Sequence, residues 1–340
     1  MINSKIFAED IQGIIADRSI DWEKLRGSSV LVTGATGAIG RGIVSTLGEL
    51  NRANGFGVNI YAVGRNLEKG RELEQVSGVK FIAADIREKL DIPYQIEYII
   101  HCAAVTESAK MVSDPVGLID TEVQGGKNIL ELAREKNIKG MVYTSSMEVY
   151  GTLDLPEVRE SDLGYLDLTA PRSSYPQSKR MFETMCNCYH SQYGLPVNIA
   201  RLGMTFGAGA DFMNDKRVWA MFARCAVNGS PIVLKTTGES LSSIVYTADA
   251  IRGILLVLLN DTRGETYNIA SARLKIRELA EKVAKRFSLK VIIDLPDDAR
   301  KTGFAGDFKW PLNTDKIKSI GWIPEVPDVE DMFLRTINDI

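Results

Sequence analysis

The chain has 340 residues, 45% of them hydrophobic and 25% charged, enough apolar content to bury a large core without disulfides or a structural metal. Its 41 Lys and Arg nearly balance 44 Asp and Glu, so the net charge of −3 exerts no global pull toward nucleic acid or anionic lipid. A disordered chain, a disulfide scaffold and a polybasic binder are excluded.

In chain order, residues 1–26 read as a helical extension, with Ile6, Phe7, Ile11, Ile14 and Ile15 along one stripe. Lys5, Glu9 and Asp10 interrupt any signal-peptide core there. Short apolar runs at 29–33, 59–63, 79–84, 98–102, 140–145 and 197–201 are expected strands, and amphipathic segments such as 38–50, 116–136 and 178–193 are expected helices. This alternation predicts an α/β fold, a doubly wound parallel sheet covered on both faces. The strands are almost continuously apolar, as burial of both faces requires.

After Arg201 the rhythm breaks. Residues 203–215 read as a loop, 218–227 as a helix, 232–234 and 243–246 as short strands, and 248–259 as a helix before a strand near 267–269. The expected division is an extension (1–26), a sheet domain (27–201, with 243–270 returning to it) and a smaller C-terminal lobe (202–242 and 271–340). The longest greasy run, 254–259, is too short to span a bilayer. Cys102, Cys186, Cys188 and Cys225 fit no zinc spacing and only two histidines exist, so no metal site is expected. A cytoplasmic protein that binds neither membrane nor nucleic acid is the expectation.

Three groups of residues carry chemistry. The first strand runs into TGATGAIG at residues 33–40, where glycines permit a tight turn and bring backbone amides close to a pyrophosphate at a helix N-terminus. The spacing is G-x-x-G-x-x-G, not the G-x-G-x-x-G of the general dinucleotide fingerprint. Asp85 and Ile86 follow the third strand, where an acid can receive an adenine amino group. Cys102, Ala103 and Ala104 follow the fourth, small enough for a cofactor to lie on the sheet edge. Finally, YPQSK at 175–179 sets Lys179 one helical turn from Tyr175, and an ammonium near a phenol favours the phenolate. Upstream, SSMEVYG at 145–151 places a hydroxyl at the carboxyl end of a central strand, the edge where ligands bind in open α/β sheets.

With RLGMTFG at 201–207 and YTAD at 246–249, these motifs resemble the extended short-chain dehydrogenase/reductase family, in particular its nucleotide-sugar epimerases, dehydratases and decarboxylases. The resemblance covers nearly the whole chain after residue 27. It implies a Rossmann-type sheet with a C-terminal substrate-binding lobe, a tightly bound NAD or NADP, a nucleotide-activated sugar as substrate, and a homodimer. Ser146 would orient the sugar hydroxyl, Tyr175 would be the base, Lys179 would hold the nicotinamide ribose, and hydride would pass from sugar C4. Glu148 would be a further catalytic carboxylate. Cofactor contacts would come from Gly34, Thr36, Gly37, Ala38, Ile39, Gly40, Arg65, Asp85, Ile86, Cys102, Ala103 and Ala104, besides Tyr175 and Lys179. Substrate contacts would come from Thr106, Ser145, Met204, Arg217, Ser242 and Arg300.

The chain departs from the family's pattern in places. Dehydratases carry Asp-Glu after the hydroxyl residue, whereas Met147-Glu148 stands here, closer to the decarboxylases. Met204 replaces a common Asn, Glu122 replaces the Asn of N-V-x-G-T, and Ser242 replaces an arginine that binds substrate phosphates. A serine cannot supply that charge-assisted contact, so Arg217 and Arg300 are candidate substitutes. Arg65 stands where NAD sites often carry an acid and could pair a 2′-phosphate, which keeps NADP open beside a slight lean to NAD. An NADPH-consuming reductase of a keto-sugar or other carbonyl is the alternative. A non-catalytic NAD(P)-binding protein fits less well, because Ser146, Tyr175 and Lys179 are all present.

Overall fold

The computed structural model describes residues 4–295 and 308–339. After α1 (Lys5–Ile15) come β1 (Ser29–Thr33), α2 (Ala38–Asn54), β2 (Asn59–Gly64), α3 (Leu67–Leu73), β3 (Val79–Ala83) and β4 (Tyr98–His101). Then follow α4 (Lys110–Ser113), α5 (Pro115–Ile119), α6 (Gly125–Lys136), β5 (Gly140–Ser146), α7 (Ser174–Tyr193) and β6 (Val197–Leu202). With β10 (Thr266–Ile269), these strands form a seven-stranded sheet in the order β10-β6-β5-β4-β1-β2-β3. Every pairing in it is parallel.

Chain direction across the sheet reverses between β1 and β4, the switch point at which doubly wound sheets open a crevice. Register makes that crevice chemically useful: Thr33 pairs with His101, and His101 with Tyr143. The glycine turn, the HCAA segment and the SSMEVYG segment therefore leave the sheet along one edge. Burial drives the arrangement, since Val30, Val32, Ile60 and Ile100 pack under α2 on one face while Ile99, Ile129, Met141 and Phe182 pack on the other.

Beyond β6 lie β7 (Met204–Phe206), α8 (Val218–Asn228), β8 (Ile232–Leu234), β9 (Leu241–Tyr246), α9 (Thr247–Leu259), β11 (Ala272–Lys275), α10 (Ile276–Arg286) and β12 (Val291–Ile293). Two short helices, α11 (Asp315–Ser319) and α12 (Val329–Ile337), complete the described chain. β11, β9 and β7 form a second sheet, and β8 pairs with β12. The region read as a loop over 203–215 thus contains β7, whose three residues are too few to show a period. Of residues 243–270, β9 belongs to the second sheet, while α9 and β10 return to the first.

The amphipathic stretch 116–136 is not one helix. It is α5, a π-helical turn over Asp120–Gln124, and α6. α1 packs against α2 and α9, fastened by Asp10, which accepts from Tyr246 OH at 2.7 Å and from Arg335 at 2.6 Å. Asp339 accepts from the backbone amides of Phe7, at 3.1 Å, and Gly209. No helix among the described residues is long and apolar enough to cross a membrane.

Candidate active site

An open cleft lies over the carboxyl ends of β1, β2 and β4. The sequence-predicted residues of the glycine turn line it, together with Arg65, Asp85, Ile86, Cys102, Ala103 and Ala104. The turn can form only with glycine at two positions. Gly34 has φ +67°, and a Cβ there would meet the Ala103 amide nitrogen at 2.7 Å. At Gly40 a Cβ would stand 2.3 Å from the Gly34 carbonyl oxygen. Close backbone packing brings the first turn of α2 to the cleft, where its free amides suit a pyrophosphate. This cradle fits a dinucleotide. Asp85 lines it too, but its carboxylate is forked by Arg87 at 2.7–3.1 Å, which holds it below the usual carboxylate range. Lys69 joins Arg65 at the rim, a cation the motifs did not flag.

Beside the cleft, β5 ends at Ser146 and α7 begins at Ser174, which brings Ser146, Tyr175 and Lys179 together. The Ser146 hydroxyl accepts from the Glu148 amide at 3.2 Å. Lys179 Nζ lies 5.8 Å from the Tyr175 ring centroid. It donates to the Thr144 carbonyl at 3.1 Å and pairs with Glu122 Oε1 at 2.9 Å. Tyr143 OH donates to the same Glu122 oxygen. Burial pushes the Tyr175 phenol up, Lys179 pulls it back, and Glu148 and Glu122 add to the rise. Burial alone would lower Lys179, yet Glu122 and the phenol keep it above its ordinary value.

The remaining sequence candidates divide. Thr106 and Arg217 line the cleft, but Arg217 is engaged with Asp215 at 2.6 Å and with the Thr205 carbonyl at 3.2 Å. Ser145 is buried and its hydroxyl has no hydrogen-bond partner. Met204 sits in β7 against the core, and Ser242 is 1% exposed, its hydroxyl 3.9 Å from Met147 Sδ. Neither lines the cleft, although Thr205 and Phe206 of the same β7 do. Arg300 lies outside the described residues. Glu148 is not a free carboxylate: Arg172 grips both its oxygens at 3.0 and 2.8 Å. Sequence reasoning missed Arg172, although its position three residues before Tyr175 was a usable signal, and it missed Tyr143 as a partner of Glu122.

Two motifs turn out to hold structure. Arg201 of RLGMTFG pairs with Glu183 at 2.6 Å inside the protein and reaches Tyr150 OH at 3.0 Å, tying β6 to α7. Asp249 of YTAD accepts from the amides of Glu325 and Val326 and from Arg252, anchoring the approach to α12.

Comparison with known proteins agrees with this geometry. The chain is 28% identical over 305 residues to UDP-glucuronic acid decarboxylase 5 of Arabidopsis thaliana, covering 87% of this chain and 85% of that one. It is 29% identical over 319 residues to a putative UDP-glucose 4-epimerase of Methanocaldococcus jannaschii, covering 91% and 97%. Among solved structures, dTDP-glucose 4,6-dehydratase of Streptomyces venezuelae, determined with NAD bound, superposes with a TM-score of 0.79 at 25% identity over 92% of this chain and 96% of that one. Residues 30–270, from β1 through β10, match a single family across the cleft and the Ser-Tyr-Lys cluster, and the chain belongs to the NAD dependent epimerase/dehydratase family.

Proposed function

We propose that the protein is an NAD(P)-dependent enzyme that modifies a nucleotide-activated sugar, oxidising C4 and then epimerising or eliminating. The observation that carries this reading is the buried Tyr175 phenol, one helical turn from Lys179, at the sheet edge where β5 ends in Ser146 and where the glycine turn opens a cleft. When bound, the nicotinamide supplies the hydride acceptor. Ser146 holds the sugar 4-hydroxyl, and Tyr175 takes its proton. Lys179 keeps a donor for the cofactor ribose. Arg172 fixes Glu148 beside the sugar, so any proton transfer by Glu148 requires that pair to part.

The test is Tyr175→Phe with a panel of UDP- and dTDP-sugars. General-base loss is worth about 10²–10⁴-fold, so turnover should fall by that factor while dinucleotide binding stays within about twofold. Activity near the parent's would remove Tyr175 from the role.

On the cofactor, Arg65 and Lys69 at the rim, with no acid directly after β2, favour a 2′-phosphate and therefore NADP over the NAD that the sequence leaned toward. The same cations support the second reading, a reductase that consumes NADPH. Absorbance at 340 nm during turnover separates the two: it stays constant if hydride returns to the sugar, and it falls stoichiometrically for a reductase. Val112, Val116, Ile119 and Met181, exposed on α4, α5 and α7, support a homodimer through that face.

A further inference from the structure

The π-helical turn over Asp120–Gln124 interrupts what would otherwise be one helix, and within it Glu122 is 1% exposed. Such turns concentrate at functional sites. A buried carboxylate is costly unless paired, and Glu122 is paired twice, with Lys179 Nζ at 2.9 Å and with Tyr143 OH. Two of the three Lys179 protons thus point at Glu122 and at the Thr144 carbonyl, leaving one for a ligand. An ammonium so placed no longer acts on its neighbours as an isolated positive charge.

We propose that Glu122 is a positioning residue that sets the pH at which Tyr175 works: by pairing with Lys179 it offsets part of the charge that would otherwise favour the phenolate. The proposal rests on the reading of Tyr175 as the base, and it assigns Glu122 an effect exerted through Lys179 rather than by touching substrate.

Of the carboxylates around the phenol, Glu148 raises it more strongly than Glu122, but only Glu122 also acts on it by pairing with Lys179. Glu148, from the turn after β5, is gripped by Arg172, which precedes α7. Glu183, on α7 itself, is paired with Arg201 of β6. On β4 and just beyond it, burial pushes His101 down to about 3 and Cys102 up to about 12, so both stay neutral across the working range. On β5, Tyr143 is pushed far up by burial and by Glu122 and stays a phenol.

The decisive experiment titrates the phenol directly, so that it does not depend on turnover. The NAD(P)-loaded protein is labelled with ¹³Cζ-tyrosine, Tyr175→Phe assigns the signal, and its midpoint is compared in the parent, Glu122→Gln and Glu122→Asp. Glutamine keeps an acceptor for Lys179 and Tyr143 but removes the charge, so the midpoint should fall by about one pH unit or more, the size of effect a nearby charge exerts. Aspartate keeps the charge and should leave the midpoint near the parent's. A purely structural role would make the two variants alike in signal and different only in melting temperature. An unmoved midpoint in Glu122→Gln, or an equal fall in Glu122→Asp, overturns the proposal. If the glutamine variant does not fold, Glu122→Asn is read by the same signal. An active Tyr175→Phe would sink the base assignment but would leave this titration readable, so the two failures are distinct.

Discussion

His101 is fully buried at the end of β4, its Nδ1 2.7 Å from Thr33 Oγ1 and its Nε2 without a hydrogen-bond partner, between Tyr143 and Phe182. Burial, helped by Lys179, depresses it from 6.5 to about 3. The unfolded chain therefore binds a proton below about pH 6.5 that the folded protein refuses until about pH 3. Stability from this residue is complete above pH 6.5 and is lost as pH falls through that window, at roughly 1.4 kcal/mol per pH unit. His101→Gln should flatten the decline: between pH 7 and pH 5 the parent should lose about 2 kcal/mol more than the variant in urea unfolding. Equal slopes would mean that His101 is protonated in the fold. At the rim, Arg65→Asp should weaken NADP far more than NAD, because it sets a carboxylate against the 2′-phosphate. Titration of both dinucleotides checks this, and equal losses would reduce Arg65 to a surface cation. Ser242, by contrast, is enclosed against Met147, so restoring the family's arginine there would overpack the second sheet before it reached a phosphate.

The turn between β1 and α2 shows what could be read in advance and why. Its glycines are demanded by sterics that any sequence must satisfy, so TGATGAIG announced itself, and its residues do line the cleft. Gly40→Ala places a methyl 2.3 Å from the Gly34 carbonyl. The strain should cost about 1–3 kcal/mol and weaken dinucleotide binding at least tenfold, measured by melting and by fluorescence titration. Parent-like affinity would show that α2 can shift without losing its cradle. Less legible was the π-helical turn, because the apolar stripe of 116–136 continues through it and Glu122 faces inward through tertiary pairing with Lys179 and Tyr143. The pairing of Glu148 with Arg172 was hidden for a related reason: residues 24 apart meet only because α7 begins beside the end of β5. RLGMTFG and YTAD were visible as marks of the family, yet their charged residues bind the fold together.

On the scale of the molecule, the sheet and the lobe share a continuous core that runs from Phe7 of α1 through α2 and α9 to Phe222 and Phe333. The exposed apolar residues of α4, α5 and α7 lie outside that core. If they join two copies, Val116→Glu should convert a dimer to a monomer in sedimentation velocity, because a buried unpaired carboxylate is costly. A sedimentation coefficient unchanged by the substitution would place the dimer contact elsewhere. The bond from the Phe7 amide to Asp339 joins positions 332 apart, and the same carboxylate holds Gly209, next to Ala210 at the mouth of the cleft. Contacts of such sequence separation form late, because the intervening chain must be ordered before they hold. Refolding should therefore proceed in two steps: far-UV ellipticity recovers first, and the ability to capture dinucleotide follows more slowly. A newly made chain would pass through a state that has its sheet but cannot yet keep its cofactor.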